Sequence, residues 1–191
     1  AQPSIEREEP EDLPAEPDRT AVQEPAFSAM LGARFGNCFH HLLETIDFAA
    51  GATEVDCSRA LHRFGLGANS ETVGGVQRLV ERTLKTPIRT DGLRLCDIPT
   101  DRRRAEMEFH FSLSRTTIQS WTGMLDAFSY GADLDTDPTR TLSGLMTGLI
   151  DLVFETEGVY YLLDYKTSFL GPDRADYRSS AVHSSMRERR Y

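Results

Sequence analysis

Cysteine is scarce in this 191-residue chain: Cys38, Cys57 and Cys96 are widely spaced and odd in number. That argues against a disulfide scaffold and fits a reducing cytoplasm, and without a C-x-x-C pair it argues against an iron–sulfur cluster. No run of 18 apolar residues occurs, so no segment reads as a membrane-spanning helix. No glycine-rich loop ends in Gly-Lys-Ser/Thr, so the phosphate cradle of a P-loop ATPase is missing. Positive charge is also short: 21 Lys and Arg stand against 30 Asp and Glu, for a net charge of −9. A uniformly acidic surface would repel a polyanion, but the charge is unevenly spread. Residues 1–25 hold eight acids and two bases, leaving −3 for the other 166 residues. The same stretch holds five of the nine prolines and little apolar content, and it reads as an acidic, Pro-rich linker. Bases cluster at Arg102-Arg103-Arg104 and at Arg187, Arg189 and Arg190, either group suited to a phosphate backbone. With 39% hydrophobic residues, the chain can build one domain with a sizeable core over residues 26–191.

Helical periodicity appears over Gly36–Phe48, over Ser58–Phe64 with Ser58 as N-cap, and over Val73–Leu84, which Pro87 brings to an end. Trp121, Met124, Leu125 and Phe128 form a further apolar stripe, read as core or subunit interface. Ala105–Leu113 alternates as a strand, with Met107, Phe109 and Phe111 on one face and Glu106 and Glu108 on the other. Asp133-Leu134-Asp135-Thr136-Asp137 has the acids of a calcium loop. Pro138 stands where that loop needs Gly, and Gly144 where it needs Glu, so the segment reads as an ordinary loop.

The densest chemistry lies near the C-terminus. Gly148–Phe154 and Val159–Thr167 are strand-like runs separated by Glu157-Gly158, a hairpin signal because Gly tolerates the positive φ of a tight turn. With Glu157 and Gly158 as the loop residues, Asp151 falls opposite Asp164 and shares its face. Lys166, two residues on, shares it too. Two carboxylates and an ammonium among apolar neighbours are costly unless a cation or substrate joins them. Two close carboxylates suit Mg²⁺, which takes a few carboxylates and keeps several waters. Such a centre supports hydrolysis of a phosphodiester, with a Lys orienting water or stabilising the pentavalent intermediate.

Asp, a hairpin, then Asp-x-Lys resembles the PD-(D/E)xK nuclease superfamily. Met146–Phe154 with Tyr160–Gly171 resembles, within it, the RecB-type nuclease domains of bacterial exonuclease V. The resemblance covers roughly residues 28–191. It implies an α/β, restriction-endonuclease-like core with a mixed central β-sheet flanked by helices. Gly36–Phe48 resembles the family's first helix, which carries a metal-ligand His; His40 takes that place ahead of His41. The family's acid three residues before a Phe selects Glu106 over Glu108. The implied metal ligands are His40, Asp151, Asp164 and the backbone carbonyl of Tyr165. Glu106 serves as a further ligand or water-positioning acid, and Lys166 acts on water or on the transition state. The implied activity is a Mg²⁺-dependent deoxyribonuclease of exodeoxyribonuclease V type, acting on single-stranded DNA from an unwound duplex. ATP hydrolysis would lie outside this chain. Implied partners are RecC-like and RecD-like subunits and RecA, and a non-catalytic module docking RecA or those subunits is the alternative. The family continues with a helix where this sequence reaches Arg189-Arg190-Tyr191, so the domain is expected to be truncated at its C-terminus.

Overall fold

The structure is a computed structural model that describes residues 32–127, 137–171 and 174–188. The linker expected over residues 1–25, most of the Asp133–Asp137 loop, and Arg189 and Arg190 lie outside the described residues.

Three helices lead. Helix α1 (Ala33–Thr45) buries Phe35, Cys38, Phe39, Leu42 and Leu43, the 3–4 spacing of one helical face. Helix α2 (Glu54–Arg63) begins earlier than its periodicity suggests. Its N-cap is Thr53, whose hydroxyl takes the Asp56 N–H while Asp56 returns to the Thr53 N–H, a reciprocal box that leaves Ser58 inside the helix. Helix α3 (Ser70–Lys85) is capped by Asn69, buries Val73, Val76, Val80 and Leu84, and stops before Pro87. Cys38 and Cys57 are buried at the heart of this helical layer, which pushes both thiols up to about 11 and leaves them inert.

The sheet has the order β1–β2–β3 and is antiparallel among the described residues. Strand β1 (Arg103–Thr117) pairs with β2 (Thr141–Thr156), which pairs in turn with β3 (Val159–Leu163). Leu152 and Phe154 of β2 are buried against the helical layer, so the α/β class and the helix-covered sheet are as expected. Helix α4 (Ile118–Ala127) connects β1 to the loop before β2, and its Gln119 N–H donates to the Pro138 carbonyl. Of its expected apolar stripe, Trp121 and Leu125 are half-buried, Met124 is 46% exposed, and Phe128 lies outside the described residues. Helix α5 (Ser179–Glu188) ends the described chain.

The hairpin turn is the expected one. Thr156 pairs with Val159, leaving Glu157 and Gly158 as loop residues with φ of 54° and 80°, the two positive values of a type I′ turn. The Glu155 carboxylate accepts the Gly158 N–H at 2.8 Å and pairs with Arg102, which holds it below the usual carboxylate range. Glu157 is the strained member, since a left-handed φ crowds its Cβ. Glu157→Asn, which tolerates that conformation, is expected to stabilise the chain by up to ~1 kcal/mol. Thermal unfolding checks this, and a lower melting temperature would show that the Glu157 side chain contributes something the turn geometry does not.

Candidate metal centre

The centre forms where three ligand-bearing elements cross. The β1–β2 ladder runs in register on either side of Glu106 and Asp151, which stand opposite each other but are not joined by it. Glu106 has φ 47°, in the left-handed region that a non-Gly residue occupies at a cost. This break takes Glu106 out of the strict alternation that grouped it with Glu108. One donor atom from each of His40, Glu106 and Asp151 then lies within 4.8 Å of the others. Glu108 stays outside, exposed and paired with His110 at 3.3 Å.

Tyr165 joins the cluster through its main chain. Its N–H donates to Asp151 Oδ2 at 2.7 Å, and its carbonyl lies 3.0 Å from His40 Nε2. His40 Nδ1 is 3.6 Å from Asp151 Oδ1. In the tautomer with the proton on Nδ1, His40 turns its N–H toward Asp151 and its Nε2 lone pair toward the Tyr165 carbonyl oxygen. Two lone pairs facing each other repel, and a cation between them converts the repulsion into ligation. His41 faces elsewhere: its Nδ1 is 3.3 Å from Glu44 Oε2 and its ring tilts against Phe64. One turn before His40, Gly36 admits the segment after β3, because a Cβ there would lie 2.9 Å from Thr167 Oγ1. That close approach of α1 to residues 165–167 had a visible signal, a Gly and a His spaced by one helical turn.

Asp164 and Lys166 are placed differently from the sequence expectation. The β2–β3 ladder has the expected register but ends at Leu152–Leu163, one pair short of Asp151–Asp164. The chain leaves the strand there because the Tyr165 side chain packs against the core and its N–H goes to the Asp151 carboxylate instead of a ladder carbonyl. Asp164 is not among the clustered donors; its side chain is 57% exposed and pairs with Lys166 Nζ at 2.5 Å. A small cavity next to Lys166 is lined by Ser168, Leu170, Tyr177 and Val182, where α5 approaches this segment.

The donor set fits a hard divalent cation. It offers one imidazole nitrogen, carboxylate oxygens and an adjacent carbonyl, all partly buried. Burial, and then the charges of Asp151 and Glu44, push the Glu106 carboxyl above its ordinary value, with His40 opposing. The unfolded chain ionises Glu106 first, so without a cation the fold loses stability as pH rises from the ordinary carboxylate range through the raised one. Cation binding needs the carboxylate, so affinity is expected to fall as pH drops through that raised range. A calorimetric pH series checks this, and an affinity flat across the acidic range would exclude Glu106 as a ligand.

The basic Arg102–Arg104 run does not act as one patch. Arg102 is paired with Glu155, and the Arg103 side chain is only 8% exposed over the Phe48 ring; Arg104 is exposed.

An α/β chain with a His–Glu–Asp donor cluster at a hairpin is the class that the fold and the site define. No family model matches the chain. It is 32% identical over 181 residues to the RecBCD enzyme subunit RecB of Escherichia coli (strain K12), which covers 90% of this chain and 15% of that protein. It is 27% identical over 164 residues to RecB of Haemophilus influenzae, covering 84% and 13%, and 25% identical over 170 residues to RecB of Borreliella burgdorferi, covering 84% and 14%. The chain is RecB-like and spans about 15% of the length of these relatives.

Proposed function

We propose that the chain is the Mg²⁺-dependent DNA nuclease domain of a RecBCD-type helicase–nuclease, working in double-strand break repair and recombination. The observation that carries this reading is the convergence of His40, Glu106 and Asp151 beside the Tyr165 carbonyl. A Mg²⁺ ion held there would supply an activated water and charge stabilisation at a phosphoryl oxygen. The residues do the rest. His40 and Asp151 would hold the ion together with the Tyr165 carbonyl. Asp164, now paired with Lys166, would be the fourth ligand. Glu106 would serve as a further ligand or position the attacking water. Lys166 would place its ammonium against the charge that develops on the phosphoryl group.

The substrate is single-stranded DNA from an unwound duplex, and ATP hydrolysis resides elsewhere in the protein. RecC-like and RecD-like subunits and RecA are the protein partners. Among the described residues no helix is long and apolar enough to cross a membrane. A second reading, a docking module for RecA or partner subunits, draws support from Leu145, Leu149, Tyr160 and Leu162, which are 62–76% exposed. Cleavage of circular single-stranded DNA in Mg²⁺ separates the two. The expected result is fragmentation that EDTA stops and added Mg²⁺ restores. Cleavage that persists in EDTA would refute the metal mechanism.

A further inference from the structure

The cavity beside Lys166 lies outside the donor cluster, yet one of its linings is the ammonium assigned to the reaction. Its volume is about 100 Å³. One wall is α5, where Val182, Ser185 and Met186 recur at helical spacing and are half-buried, whereas His183 and Ser184 are exposed. Leu170 adds a second apolar surface. The Tyr177 oxygen accepts the Leu170 N–H at 3.3 Å, which leaves its own O–H to donate. Tyr177 is 40% exposed, so the cavity has a side open to solvent.

That volume is far below the ~300–1,000 Å³ of a site that encloses a whole small molecule. The occupant is therefore one part of a larger molecule whose remainder stays outside. The lining suits a flat heteroaromatic ring. Leu170, Val182 and Met186 offer apolar contact to its faces, and the Tyr177 and Ser185 hydroxyls offer hydrogen bonds to its polar edge. A paired base cannot enter, because its edge is held by its partner and its faces by the stack. An unpaired base enters at little cost.

We propose, on the nuclease reading above, that this cavity takes one unpaired base of the DNA strand, that of the nucleotide adjoining the phosphate at Lys166. Phosphate contacts position a strand without reading its bases. The cavity adds a contact that only an unpaired base can make, right beside the reacting group. Selection of single strands is then built into this chain and does not depend only on what an unwinding motor delivers.

The test is binding of a fluorescent oligo(dT) strand and of a strand of equal length whose sugars carry no bases, to the native 191-residue chain, Ser185→Leu and Tyr177→Phe. Ca²⁺ replaces Mg²⁺, since its looser geometry holds a phosphate without the strict octahedron of Mg²⁺. Circular dichroism controls for the fold, and the Mg²⁺-dependent rise in melting temperature controls for the centre. Ser185→Leu fills the cavity with a good helix former that cannot stack on a base. The native chain is expected to bind oligo(dT) about tenfold or more tightly than the baseless strand, the scale of one held base. Ser185→Leu is expected to lose that preference, and Tyr177→Phe to weaken it. Both should bind the baseless strand as the native chain does and keep the Mg²⁺ response. A preference that survives in both variants, or none in the native chain, would overturn the proposal and leave the cation centre standing. A native chain whose melting temperature ignores Mg²⁺ would overturn the centre, and the proposal with it. Should Ser185→Leu unfold, Tyr177→Phe decides alone.

Discussion

Asp151→Asn is expected to abolish Mg²⁺-dependent DNA cleavage, a fall of about a thousandfold or more, while the melting temperature stays the same or rises. The asparagine keeps the shape of the side chain, and its carbonyl oxygen still accepts the Tyr165 N–H now held at 2.7 Å. What it removes is one negative charge from the clustered donors. A divalent ion that loses a charged ligand loses several kcal/mol of interaction, and each ~1.36 kcal/mol is tenfold in rate. The fold gains from the same change. Asp151 is one of the charges that push the Glu106 carboxyl up, so its neutralisation relieves that repulsion. Asp151→Ala differs, because it also leaves the Tyr165 N–H without an acceptor at a cost of about 1–3 kcal/mol. Single-turnover cleavage and thermal unfolding of both variants separate charge from structure. An asparagine variant that cleaves normally would remove Asp151 from the chemistry.

Lys166→Met is expected to lower cleavage by about 10²–10³-fold and to leave divalent-cation affinity unchanged or slightly higher. Its ammonium pairs with Asp164 at 2.5 Å, outside the clustered donors. Removing it takes away transition-state stabilisation without touching His40, Glu106 or Asp151. It also frees Asp164 from an ion pair that competes with ligation. Methionine keeps the unbranched apolar stem, one atom shorter than lysine, so most of the packing beside Ser168 and Leu170 is retained. The split between binding and rate is diagnostic. Loss of cation affinity equal to the loss of rate would show that Lys166 organises the site instead of acting in the reaction.

Much of this arrangement is legible in the sequence, for identifiable reasons. Glu157-Gly158 marks a two-residue turn, and that turn dictates the whole β2–β3 register. The apolar spacing of α1 and α3 is written in residues that have to be buried. Periodicity alone leaves His40 and His41 undecided; contacts made 125 residues away, at Tyr165, distinguish them. Glu106 and Glu108 look equivalent by alternation, and the left-handed backbone at Glu106 that separates them has no local signal such as Gly or Asn. Asp164 departs from its expected pairing with Asp151 for a related reason. Pairing arithmetic assumes a ladder that continues, whereas the burial of Tyr165 draws the chain off the strand one pair early. The cap of α2 is overlooked because its box uses Asp56 where Glu or Gln is the commoner partner.

The most direct measurement is thermal unfolding of the chain and of Asp151→Asn with and without Mg²⁺. An ion bound to the folded state alone stabilises it by about 2.7 kcal/mol at a hundredfold excess over its dissociation constant. The expected result is a melting temperature that climbs with Mg²⁺ in the native chain and does not move in Asp151→Asn. An equal shift in both, or none in the native chain, would contradict a cation centre at His40, Glu106 and Asp151.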